Sequence, residues 1–173
     1  MLKRLLERHR APHRLPELPS LRQVLATTAG SFLGIAILAG LTRHAGVDLL
    51  MAPFGATCVL LFATPDTALA QPRNVIGGHV LASAIGLTAQ HLADLHGAIG
   101  LAAVVTIAIV AMQLTRTVHA PAGADPLVIL LKGHTLGWSF LLTPVLTGAV
   151  ILVLLAYLVN NARNTEKWPR YWI

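Results

Sequence analysis

Four stretches of this chain carry no Asp, Glu, Lys or Arg: residues 23–42, 74–93, 95–115 and 133–162. Each matches or exceeds the roughly 20 residues that cross a bilayer as a helix. No other feature limits the fold so strongly. The rival reading, a buried helical core in a soluble protein, requires amphipathic helices with a charged face, and these are absent. Charged residues make up 12% of the chain, against about 25% in soluble domains. The sequence therefore predicts an all-α integral membrane protein with the lipid bilayer as its surroundings.

Two further apolar segments, at about 49–63 and 120–131, are too short to span as regular helices. Both carry proline near the start, where the first turn of a helix accepts it. They also echo each other. Ala52-Pro53-Phe54-Gly55-Ala56 recurs 68 residues later as Ala120-Pro121-Ala122-Gly123-Ala124. His79-Val80-Leu81-Ala82-Ser83-Ala84-Ile85 is matched more weakly by Pro144-Val145-Leu146-Thr147-Gly148-Ala149-Val150. The expected architecture is four long transmembrane helices plus two short ones, broken or re-entrant, arranged as two repeats of three helical segments. The repeats fall at about 21–91 and 98–159 within a transmembrane domain of 21–160. Short interrupted segments at matching places in two halves point to a transporter with its site between them. If the short segments cross, the halves are inverted, and Arg73 and Arg116 face the cytoplasm. If they are re-entrant, the halves are parallel.

The formal net charge of +6 gathers at the two ends. Residues 1–20 read as a basic amphipathic segment suited to the headgroup layer, and 161–173 as a basic, aromatic tail. By the positive-inside rule both termini are cytoplasmic, in what is expected to be a bacterial inner (plasma) membrane. No folded basic face for nucleic acid is evident. The single cysteine, Cys58, allows neither an internal disulfide nor a Cys-based metal site.

Several residues suit a small oxyanion. Two short helices offer two N-termini with free N–H groups and partial positive charge. Gly55 and Gly123 leave backbone accessible there. Arg73 and Arg116 add full charges and a planar fork. Asn74, Thr57 and His119 can donate hydrogen bonds, and His79 lies six residues past Arg73. Each has a plainer reading. The arginines anchor or cap their helices, the histidines bond carbonyls or pack, and the glycines allow close contact. A divalent-metal or other small-solute transporter would instead use His79, His119, His134 and Asp125. No nucleophile and base stand at a recognisable enzymatic spacing, so no enzyme and no cofactor are expected. A non-transporting scaffold subunit leaves the paired broken helices unexplained. Four spans form a small body for a pathway, so a homo-oligomer is expected.

Two strings carry a family resemblance. Phe54-Gly55-Ala56-Thr57-Cys58 followed by Gln71-Pro72-Arg73-Asn74-Val75-Ile76-Gly77-Gly78-His79 resembles the HPP family of bacterial and plastid membrane proteins. So does Val118-His119-Ala120-Pro121-Ala122-Gly123-Ala124. The resemblance implies a small-anion transporter, with nitrite as the best guess, because cyanobacterial and chloroplast members are associated with nitrite. The chain departs from the family pattern where His-Pro-Pro reads His119-Ala120-Pro121, and where Gly-Ala-Thr-Ala reads Gly123-Ala124-Asp125-Pro126. The internal echo sets Asp125 opposite Thr57. A carboxylate there is expected to pair with Arg116 or protonated His119, or to stabilise the first turn of its helix.

Overall fold

The computed structural model describes residues 17–46, 48–92, 95, 97–132, 136–163 and 167–172, and every regular element among them is helical. The basic segment read at 1–20 lies mostly outside these residues, and His134 lies wholly outside. Helix α1 spans Leu21–Ala45 and α2 spans Ala52–Cys58, continuing through a wider π-type turn at Val59–Ala63. A 3₁₀ turn at Ala68–Ala70 leads into α3, Pro72–Leu92. Helix α4 spans Ala98–Leu114. A 3₁₀ turn, Ala120–Ala124, runs directly into α5, Asp125–Leu130. An irregular π-type stretch, Leu141–Leu146, opens α6, Thr147–Arg163. Its Thr143 is extended (φ −140°, ψ 113°), as the residue before a proline tends to be.

Two helical stretches, Leu21–His44 and Leu141–Ala162, are both long and apolar enough to cross a membrane. The sequence reading expected four. Helix α4 is strongly apolar but has 17 residues, about 26 Å at 1.5 Å per residue. Helix α3 has 21 residues but carries Arg73, Asn74, His79, Ser83, Thr88 and Gln90. An uncharged run is thus not always an apolar one.

Side-chain contacts fix the direction of each element. At one end Arg22 donates to the Ala162 carbonyl, Gln23 to that of Ala63, Arg73 to that of Thr115 and Asn74 to that of Val118. At the other, the Leu49 N–H donates to Thr42, Lys132 pairs with Asp48, and Gln90 donates to the Leu136 carbonyl. The six helical segments therefore alternate in direction, and both short ones run from one end to the other.

The prolines start the short helices, and neighbouring helices complete them. The π-type turn after α2 leaves carbonyls that a regular helix would pair internally. Thr27 Oγ1 donates to the Phe62 carbonyl at 2.8 Å, Asn160 Nδ2 to that of Leu61 at 3.0 Å, and Gln23 Nε2 to that of Ala63 at 3.4 Å. Phe54 and Phe62, both fully buried, anchor the segment in the main core with Leu38, Leu61 and Leu152. Outward, α1 exposes Leu25, Phe32, Leu33 and Ile37, an apolar face that hydrocarbon accepts and water does not.

The last described residues bind the first end together. Trp168 Nε1 donates to the Pro65 carbonyl, the Arg170 N–H to Gln71 Oε1, and the Tyr171 hydroxyl to Asn74 Oδ1. Gln71 is itself fully buried and donates to the Pro65 and Thr67 carbonyls.

Candidate functional site

Helix α3 is the spine of the site, because it touches both short segments. Its glycines let the second of them approach. A Cβ on Gly78 would lie 2.7 Å from the His119 Cβ and 2.9 Å from the Thr117 carbonyl oxygen, and one on Gly86 would lie 3.0 Å from the Pro126 Cα. The segment from Thr117 to Pro126 is thereby seated on one glycine-lined face. Gly78→Val should push it off. We expect a loss of about 1–3 kcal/mol, as for other overpacked cores, read as a lower melting temperature in detergent.

On that face four polar side chains meet: Thr57 of α2, His79 of α3, His119 at the head of the second 3₁₀ turn, and Asp125 at the start of α5. All four have 0% exposure. Thr57 Oγ1 lies 2.9 Å from His79 Nε2 and 3.0 Å from His119 Nε2. His79 Nδ1 lies 2.8 Å from Asp125 Oδ2, which also accepts from the Ser83 hydroxyl at 3.1 Å. His119 Nδ1–H donates to the Leu69 carbonyl at 2.7 Å. Thr57 Oγ1 is also 3.2 Å from the carbonyl of Pro53, one turn back. The two imidazoles meet edge to face with centroids 4.8 Å apart, and the Phe54 ring closes the other side of His79 at 5.1 Å. Asp125 Oδ1 is buried with no hydrogen-bond partner among the described residues.

The sequence-derived candidates divide clearly. Thr57, His79, His119 and Asp125 form one connected chain. Asn74, also buried, holds the Val118 carbonyl at 2.9 Å and so positions the turn before His119. Arg73 is half-buried and donates to the Thr115 carbonyl at 3.0 Å. Arg116 is exposed, with φ 57°. It ends α4 as the left-handed residue of a Schellman cap: the Arg116 N–H donates to the Gln113 carbonyl and the Thr117 N–H to that of Met112. Gly55 is exposed and Gly123 half-exposed. Asp125 pairs with His79 rather than with Arg116 or His119. The sequence reading missed Ser83 and the Leu69 carbonyl. Ser83 was available to it, four residues after His79 and so on the same helix face.

An open, apolar groove of about 770 Å³ runs between the short segments, lined by Ala52, Ala56, Val59, Ala120, Ala124 and Leu127 among others. It lies on their outward side. Among the described residues no group of three His, Cys, Asp or Glu side chains is arranged to hold a metal ion. Both ring nitrogens of His79 are engaged within the chain of contacts.

A family model described as "HPP, transmembrane region" matches residues 16–169. A transmembrane protein of Dictyostelium discoideum is 33% identical over 166 residues, which is 91% of this chain and 58% of that protein. A second transmembrane protein of the same organism is 32% identical over 151 residues, 82% of this chain and 49% of the relative. The chain thus spans about half the length of the curated relatives it matches. No solved structure matches it.

Proposed function

The chain belongs to the HPP transmembrane family, and from that premise we propose that it transports a small inorganic anion, with nitrite the first substrate to test. The observation that carries this reading is the buried set Thr57, His79, His119 and Asp125, drawn from both halves of an integral membrane protein. Ionisable groups inside a membrane are expensive and mark ion or substrate paths. The ring nitrogens of both imidazoles are engaged with Leu69, Thr57 and Asp125, so an anion meets donors there only by exchanging one of these contacts. Arg73 and Arg116 supply rim charge where α3 begins and α4 ends. We take the two halves as inverted repeats, a reading supported by the alternating directions of the six segments. The end that gathers Arg22, Arg73, Arg116 and Arg170 is then cytoplasmic, in a bacterial inner membrane. We take the protein as a carrier without enzymatic activity or cofactor. A homo-oligomer stays part of the proposal, since the groove presents small apolar residues outward.

Proteoliposome uptake tests the reading across nitrite, nitrate, formate and divalent metals. Saturable nitrite uptake above that of protein-free vesicles is expected. A response to metals alone, or to nothing, overturns it. In the same assay Arg73→Gln and Arg116→Gln should raise the apparent KM several-fold, most at low ionic strength, with little change in kcat. Charges outside the buried chain steer an anion and are screened by salt. Unchanged KM in both variants would leave them as helix anchors.

A further inference from the structure

We infer that the buried chain is a proton-binding relay, which holds one proton on the Asp125–His79 pair and passes it to His119 through the Thr57 hydroxyl. A count of hydrogens leads there. The Leu69 carbonyl can only accept, so His119 carries its hydrogen on Nδ1. Nε2 of that neutral ring is then an acceptor, and Thr57 donates to it across 3.0 Å in preference to the Pro53 carbonyl, which the same hydroxyl also reaches at 3.2 Å. Thr57 has one hydrogen. Its oxygen therefore needs a donor at its other contact, and His79 Nε2–H supplies it across 2.9 Å. The remaining contact, His79 Nδ1 to Asp125 Oδ2 at 2.8 Å, closes only with a proton between the two. The carboxyl and neutral imidazole, or the carboxylate and imidazolium, hold the same single proton with no net charge.

Without that proton one short contact must bring two acceptors face to face. Either His79 Nδ1 opposes the carboxylate, or Thr57 has two imidazole nitrogens to satisfy and one hydrogen to offer. A net negative charge would also remain on Asp125, whose other oxygen already has no partner among the described residues. Burial makes both outcomes costly. The hydrogen-bond partners facing the pair are Thr57 from α2, Ser83 from α3 itself, and His119 with the Leu69 carbonyl behind it; none is Lys, Arg or Glu.

The same geometry moves the proton. Thr57 gives its hydrogen to His119 Nε2 and takes the hydrogen of His79 Nε2. His119 becomes the imidazolium, and His79 stays neutral with Nδ1–H on the Asp125 carboxylate. One O–H and one N–H bond break, one of each forms, and one charge crosses from one imidazole to the other. His119 leads to the 68–70 turn near the first end of the molecule. Ser83 and Asp125 mark the middle of α3, about 16 Å from its start at 1.5 Å per residue. The relay thus lies between the level of Gly78, on which His119 packs, and that of Ser83. Coupling of this proton to transport rests on the anion-carrier reading above; the proton site itself does not.

Two measurements on the full chain test this. Infrared difference spectra of substrate-free protein, with aspartate carboxyl-labelled by carbon-13, should show one buried carboxyl or its imidazolium counterpart responding to pH. The signal should vanish in Asp125→Asn. In proteoliposomes holding a pH-sensitive dye, nitrite entry should carry a proton inward, and a gradient acid outside should drive accumulation. Asp125→Asn should cut gradient-driven accumulation on the order of a hundredfold, the scale of a removed proton-transfer group, and flatten its pH profile. Size-exclusion and melting measurements check that this variant is folded. If it is not, the labelled wild-type spectrum still decides: no pH-dependent buried aspartate or histidine signal overturns the relay. Wild-type uptake indifferent to the proton gradient overturns the coupling. No anion uptake alongside an intact titration of Asp125 overturns the carrier reading and leaves the proton site standing.

Discussion

Thr57→Val should abolish proton-linked uptake in a protein that still folds and inserts. Valine keeps the shape of threonine and deletes the one hydroxyl that both imidazoles address, at 2.9 and 3.0 Å. Two ring nitrogens are then left facing each other's neighbourhood with no shared partner. The folded state should lose about 1–3 kcal/mol, the penalty for stranding buried polar groups. Gradient-driven nitrite uptake should fall further, on the order of a hundredfold, because the single bridge for a hopping proton is gone. Thr57→Ser retains the hydroxyl and should recover most of the wild-type rate. A valine variant that transports with normal proton coupling would show that the hydroxyl is only packing.

The largest stability loss should follow His79→Leu. Asp125 then keeps Ser83 as its one hydrogen-bond donor among the described contacts, at 3.1 Å, with its other oxygen still unpartnered. Breaking a buried pair by removing one partner typically costs about 3–5 kcal/mol, chiefly through the charge left behind. The leucine itself is apolar and fits beside Phe54, so the loss comes from Asp125. His79→Leu combined with Asp125→Ala should therefore be more stable than His79→Leu alone. Chemical or thermal unfolding in detergent reads both. If the second change brings no recovery, His79 contributes mainly by packing against Phe54.

These partners show what the amino-acid order reveals and what it hides. The 68-residue echo set Thr57 opposite Asp125, and in the fold both address His79, one on each ring nitrogen. The echo did not foretell that meeting. The sequence offered Arg116 or His119 for Asp125 and not His79, because the choice depends on how α3 is rotated and on Gly78 letting the His119 turn sit close. Arg116 drew attention by its charge, yet its backbone ends α4 in a left-handed cap, which no charge count reveals. The Leu69 carbonyl fixes which nitrogen of His119 carries hydrogen, and a main-chain oxygen leaves no trace in residue identity. Apolar length was legible for the first and last long helices. In α3 the polar residues that build the site also lower the hydropathy of the stretch.

The indole, backbone and phenol contacts of Trp168, Arg170 and Tyr171 reach back to Pro65, Gln71 and Asn74. These three residues flank Leu69 and steady the carbonyl that orients His119. The carboxy-terminal tail is therefore part of the scaffolding of a site whose nearest ring is some fifty positions earlier in the chain. For handling the protein, a purification handle or reporter domain belongs beyond Tyr171 on a flexible spacer. Loss of the Trp168, Arg170 and Tyr171 contacts would loosen the turn that carries Leu69 while leaving every helix whole.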